Sequence, residues 1–288
     1  MVITASYNNL TKVFRYVNAD GAEITFLFDH GYLINKPNGI DTVSITVNES
    51  YGINQVGTSV NSEHVESRPI TFSGKVVGDG QDAKKKRLLD IVRPGVAGKL
   101  YCDNYYIDVR PTATPTVGPE TRNASFQFSL LAPYPYWCKD DTQTETIMGV
   151  EKRFKFPWNM YRQYRFGEPW RKKFVNVYNS GQTEIPFRIT LVSLAAAKNP
   201  RIQNAVTGQF LLINKDMVPD ERLVIDITHD RTSVYSSVDG DCRGALDITS
   251  NLFRLNIGDN VLKPTADSGL DDMQIEVTFA PEIVGMHI

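Results

Sequence analysis

Apolar and polar residues alternate with a period of two through most of this chain, a pattern that commits it to strands with one covered and one open face. The segment 123–131 is the clearest case: Ala124, Phe126, Phe128 and Leu130 alternate with Ser125, Gln127 and Ser129. In 41–48, Val43, Ile45 and Val47 fall on one side and Thr42, Ser44 and Thr46 on the other, which predicts a half-buried strand. Segments 12–17 and 23–28 are aromatic and β-rich, and Asn18-Ala19-Asp20-Gly21 joins them with an Asp-Gly turn signal, so the pair reads as a hairpin. Further strands are predicted at 69–77, 99–102 and 105–110.

One helix interrupts the series. Asp82 is the expected cap, Leu88, Ile91 and Val92 share a face, and Pro94-Gly95 stops the turn. The run Lys84-Lys85-Lys86-Arg87 lies on the open side and reads as a solvated face ahead of a phosphate contact.

The texture changes at Pro133-Tyr134-Pro135-Tyr136-Trp137, because proline removes ladder donors. No clean period persists from Lys139 to about Lys173, and the segment reads as a linker or arm. Alternation then returns. Ile185, Phe187, Ile189 and Leu191 share a face, as do Leu223, Ile225 and Ile227; Phe253, Leu255 and Ile257; and Met273, Ile275, Val277 and Phe279. Turns are expected at Asn179-Ser180-Gly181, Asp239-Gly240 and Gly258-Asp259-Asn260, and short strands at this spacing predict a β-sandwich. The expected organisation is mostly β: an N-terminal β-rich domain with one short helix over 1–137, a linker or arm-like insertion over 138–172, and a sandwich domain over 173–288.

Little in the chain points to catalysis. The 288 residues carry a formal net charge of -2, too balanced for a general nucleic-acid or anionic-membrane binder. No apolar run reaches the length that spans a bilayer, and no export leader is evident at the first residues. Cys102, Cys138 and Cys242 are far apart and odd in number, so reduced thiols are expected. His30, His64, His229 and His287 lack partners at ligand spacing, and neither GxSxG nor HExxH occurs. Gly78-Asp79-Gly80 and Asp239-Gly240-Asp241 read as turns, not as a phosphate loop or a calcium site. No catalytic, cofactor-binding or metal-binding residue is assigned.

Two groups remain as interface candidates. The hairpin offers Phe14, Tyr16, Phe26 and Phe28, for which core packing is at least as good a reading. The segment 154–170 offers Trp158, Tyr161, Arg162, Tyr164 and Trp170. Its mixture of aromatic and basic side chains suits a protein partner, local packing, or stacking on sugars or bases.

The order of features resembles the distal tail protein family of long-tailed phages. It comprises the strand Pro69-Ile70-Thr71-Phe72-Ser73-Gly74-Lys75, one short helix, and a last strand entering Ala132-Pro133-Tyr134-Pro135-Tyr136-Trp137. Then follow Asn179-Ser180-Gly181-Gln182, Asn199-Pro200-Arg201-Ile202 and Leu255-Asn256-Ile257-Gly258 in an all-β second half. The resemblance covers nearly the whole chain. It implies a hexameric ring, docked on one side to tail tube protein and on the other to the tail hub, or tail-associated protein. It also implies a galectin-like C-terminal sandwich that anchors receptor-binding or baseplate proteins. The expected location is the virion tail tip after synthesis in the host cytoplasm, without membrane insertion or sequence-specific nucleic acid binding. No tryptophan follows Trp170, which argues against galectin-type sugar binding. The competing readings are a carbohydrate-binding module contacting host wall or surface polysaccharide, and a hydrolase with a carboxylate pair.

Overall fold

The computed structural model describes residues 12–152, 167–171 and 174–287, with backbone alone for 148–152 and 167–171. The chain divides into two compact units. The first runs to Asp140 and takes in the residues from Ile283 onward; the second is Asp141–Glu282.

In the first unit one sheet follows the path Glu23–Phe26, Phe14–Asn18, Gly98–Cys102, Tyr105–Pro111, Ser125–Ala132, Arg68–Val76, Tyr32–Ile34. The alternation read from the sequence is realised here: Phe126, Phe128 and Leu130 point inward, as do Ile70 and Phe72. The sheet curls over on itself. Phe14 and Phe72 meet at 5.5 Å between ring centroids, although three strands separate theirs along the path. Phe26 stacks on Phe72 at 5.4 Å and on Phe128 at 5.6 Å, and meets Tyr32 edge-on at 6.0 Å. Each such pair contributes roughly 0.5–1.5 kcal/mol beyond the area it buries.

The hairpin turn works as its sequence suggests. Asn18 Oδ1 accepts from the amides of Asp20 (3.1 Å) and Ala22 (2.9 Å), and Gly21 takes a φ of 81°.

The helix is Gln81–Ile91, with Leu88 and Ile91 buried. Its cap is Gly80 in the left-handed conformation, without a side-chain cap bond; Asp82, the expected cap, lies inside the first turn and pairs with Lys85 at 3.7 Å. The basic run is largely fixed to backbone carbonyls rather than free in solvent. Lys84 Nζ donates to Val77 at 2.8 Å, Lys85 Nζ to Glu120 at 2.7 Å and Arg87 Nη2 to Glu23 at 3.0 Å. Each long side chain crosses to a different loop or strand and anchors it to the helix.

One predicted strand behaves differently. Ile45–Ser50 does form, but it pairs only with Ser59–Val65, as a two-stranded ribbon separate from the large sheet. The expected burial of Ile45 and Val47 is corrected: they are 54% and 39% exposed. Alternation shows that the two faces differ; it does not say what covers either of them.

The second unit is a sandwich. One sheet runs Gly167–Arg171, Gln143–Lys152, Met273–Phe279, Phe187–Ser193, Arg222–Ile227, Thr232–Ser236, Gly240–Asp241. The other runs Val175–Asn179, Gly258–Thr265, Arg201–Asn204, Phe210–Leu212. Ile189, Leu191, Ile225 and Val277 from the first meet Val177, Ile202, Leu211 and Leu262 from the second in one core. Part of the segment read as a linker is thus a strand: residues 143–148 align with 275–279 in the larger sheet.

Gly258–Thr265 is a strand where a turn was expected, and Ile257 is 60% exposed instead of facing inward with Phe253 and Leu255. The cause is Asn260. Its amide group donates to Asn256 O at 2.7 Å and Gly258 O at 3.1 Å, while its Oδ1 accepts from Asn256 N at 2.9 Å. The side chain holds the preceding loop itself, so the backbone of residue 260 is left to pair in the sheet.

Candidate interaction surface

Of the expected interface residues, Phe14, Tyr16, Phe26 and Phe28 are described with their side chains. Phe14, Tyr16 and Phe26 are buried, at 0%, 0% and 1% exposure, in the first unit's core, so the hairpin reading of them as contacts is replaced by the packing reading. Burial also pushes the Tyr16 hydroxyl up to about 12. Phe28 is 44% exposed, in the short 3-10 helix Phe28–His30. Trp158, Tyr161, Arg162 and Tyr164 lie outside the described residues. Trp170 lies on Gly167–Arg171, its backbone opposite Gly149.

Among the described residues, exposed apolar side chains gather instead on the ribbon of Ile45–Ser50 and Ser59–Val65 and its tip. Ile45 stands opposite Val65, Val47 opposite Glu63, and Glu49 opposite Val60, with a bulge between Asn48 and Glu49. Polar cross-strand bonds stiffen it: Asn48 Nδ2 donates to Ser62 Oγ at 2.9 Å, Ser50 Oγ to Asn61 Oδ1 at 3.1 Å, and Thr46 Oγ1 to Glu66 Oε1 at 2.6 Å. Its tip, 51–58, carries no charge, and Tyr51, Ile53 and Val56 are 84%, 98% and 101% exposed. Gln55 pins the tip, accepting from Gly52 N at 2.9 Å and donating to Ser59 Oγ at 3.0 Å. Uncharged apolar residues and open strand edges together are the features by which another surface can pair with a ribbon.

Titratable groups sit in structural pairings. His229 Nε2 lies 2.8 Å from Glu282 Oε1, and Thr183 Oγ1 donates to Glu282 Oε2 at 3.2 Å. That partner lies 53 positions away in sequence, beyond the reach of any spacing rule. Glu221, 1% exposed, accepts from Ser236 Oγ at 2.5 Å and Val218 N at 3.0 Å and pairs with Lys215 at 3.1 Å. Burial raises its carboxyl, but these three partners outweigh burial and hold it below the usual range. Asp239 pairs with Lys215, and Asp241 Oδ1 accepts from Arg243 N at 3.1 Å, so Asp239-Gly240-Asp241 is occupied by its own chain. The Cys102 thiol is buried and pushed up to about 12 by that burial, with Asp103 adding to it, which leaves it inert as a nucleophile at neutral pH. Among the described residues no group of three or more His, Cys, Asp or Glu is gathered as metal ligands would be. No helix among them is long and apolar enough to cross a membrane. A shallow groove of about 510 Å³ over Leu33, Ser73, Lys75, Thr116 and Gln127 lines the outward side of the first unit's sheet.

Comparison with known proteins agrees with the order of motifs. Residues 180–282, all within the second unit, match the model of the siphovirus-type tail component, C-terminal domain. No curated protein matches the sequence. The crystal structure of SPP1 Dit, described as a paradigm of the hub adsorption apparatus in phages infecting Gram-positive hosts, superposes with a TM-score of 0.69 at 15% identity. The match covers 93% of this chain and 98% of that one. A chain of the phage P2 baseplate, in its activated conformation with Ca, superposes with a TM-score of 0.51 at 11% identity, over 96% of this chain and all of that one. Residues 180–282 are thus similar to the siphovirus-type tail component, C-terminal domain, and the chain carries the fold of SPP1 Dit.

Proposed function

We propose that this chain is a structural component of a phage tail tip that assembles with copies of itself into a hexameric ring. The ring joins the tail tube protein to the tail hub, and the galectin-like second unit offers the attachment point for receptor-binding or baseplate proteins. The protein acts in the virion after synthesis in the host cytoplasm, and its work is assembly rather than turnover. The observation that carries this reading is the ribbon of Ile45–Ser50 and Ser59–Val65, whose exposed Ile45, Val60, Ile53 and Val56 need a cover. A closed ring uses two different patches on each copy, and a protruding ribbon supplies one of them.

The test is the solution mass of the purified protein by light scattering, with negative-stain images of the same peak. A hexameric mass and ring-shaped particles are expected, and Ile53→Asp with Val56→Asp reduces the mass. A folded chain that stays monomeric both alone and with tail tube protein and tail hub added would overturn the ring.

One observation favours a second reading. Phe174, just before the edge strand Val175–Asn179, and Tyr178, within it, are 50% and 58% exposed, with Lys263 Nζ 6.0 Å from the Phe174 ring. Aromatic rings with a neighbouring polar rim suit a host polysaccharide, and a cell-wall pull-down lost in Tyr178→Ala would support it.

A further inference from the structure

The first unit contains residues far from it in sequence. Met286 is 3% exposed and belongs to its core, together with Ile40, Trp137 and Leu130. The segment reaches that core past a cluster of donors arranged around one carbonyl. Ile40 O accepts from Arg68 Nη1 at 2.9 Å, from Trp137 Nε1 at 3.3 Å and from Met286 N at 3.3 Å. Arg68 uses its other terminal nitrogen on Val284 O. Arg68 and Trp137 are 2% and 0% exposed, so these bonds form away from bulk water. Gly285 lies against Asp41 so closely that a Cβ there would stand 2.3 Å from the Asp41 carbonyl oxygen. Three features are thus read in succession: a carbonyl at 284, the absence of a side chain at 285, and a methionine at 286.

We infer that Ile40, Asp41, Arg68 and Trp137 form a peptide groove whose ligand is the chain's own segment 284–287. The groove works as peptide grooves do, with main-chain bonds giving register and one apolar anchor giving affinity. Methionine suits the anchor because its flexible chain fills an irregular space. The fold of the first unit is complete only when this segment is seated. The inference stands apart from the ring, since none of these four residues belongs to the exposed ribbon.

The experiment uses amide hydrogen exchange, read separately for each unit, on the chain ended after Ile283. Exchange at residues 40–41 and within Arg68–Val76 and Ser125–Ala132 is expected to quicken by about tenfold or more, while Phe187–Ser193 and Met273–Phe279 stay as they were. A synthetic peptide of residues 282–288, added in excess, restores the protection; the same peptide with Met286→Asp does not. Should the shortened chain fail to fold, the full chain with Gly285→Val carries the same comparison, because it keeps Val284 and Met286 and blocks only the seat at Asp41. Unchanged exchange in the first unit, an equal rise in both units, or equal rescue by the Asp-bearing peptide would overturn the groove.

Discussion

Arg68 donates from Nη1 to the carbonyl of Ile40 at 2.9 Å while only 2% of the residue is exposed. Burial lowers its guanidinium to about 10, against the opposing pull of Asp41 and Tyr136. The charged form therefore sits in the fold at a cost, which the two carbonyls it bonds offset. Arg68→Ala removes the donors and leaves a void, and should lower the stability of the first unit by about 2–4 kcal/mol. Denaturant unfolding followed by exchange in each unit would read this, with the second unit unchanged.

Phe26 and Phe28 test how far the aromatic hairpin belongs to the core. Phe26 touches Phe72, Phe128, Phe126 and Tyr32, so Phe26→Ala should cost about 3–5 kcal/mol. Phe28→Ala, at an exposed position, should stay within about 0.5 kcal/mol in the same urea titration.

The carboxyl of Glu221 makes the second unit acid-sensitive. Its folded value lies below the ordinary 4.5, so the folded state holds fewer protons there than the unfolded chain. Its contribution is complete above about 4.5 and is lost as pH falls through the lower folded value. Glu221→Gln should flatten that part of the stability profile, measured by thermal melting of the second unit between pH 3 and 6, about where carboxylates titrate.

The basic run should behave as a set of anchors. Lys84→Ala frees the Val77 carbonyl and should cost about 1–2 kcal/mol, whereas Lys86→Ala, on the open side of the helix, should be near neutral. Equal effects of the two substitutions on melting temperature would argue against the anchoring role.

Much of the fold was legible because alternation reports directly on which side of a strand is covered. Phe126, Phe128 and Leu130, or Met273, Ile275 and Val277, could be assigned inward from the sequence alone, and they are buried. The same rule failed at Ile45 and Val47, which are 54% and 39% exposed on a ribbon outside the first unit's core. A different cue, the turn residues Gly258-Asp259-Asn260, failed because a side chain does the work of a turn there and frees its backbone for the sheet. The helix was placed by Leu88 and Ile91, but its start was set by the left-handed Gly80. The candidate surface was less legible than the fold. Aromatic content drew attention to Phe14, Tyr16 and Phe26, which are core, while the exposed ribbon tip has a single aromatic and no charge. Partnerships such as His229 with Glu282 and Arg68 with Val284 depend on long-range closure, which no local pattern encodes.

Met286 in the first unit's core also sets an order of events on the ribosome. Synthesis runs from the first residue to the last, and domains tend to fold as they emerge. Here the place beside Ile40 and Arg68 is filled by residues that are made only after the whole of the second unit. A chain that stops within the second unit therefore lacks Met286 and leaves the first unit's core one side chain short.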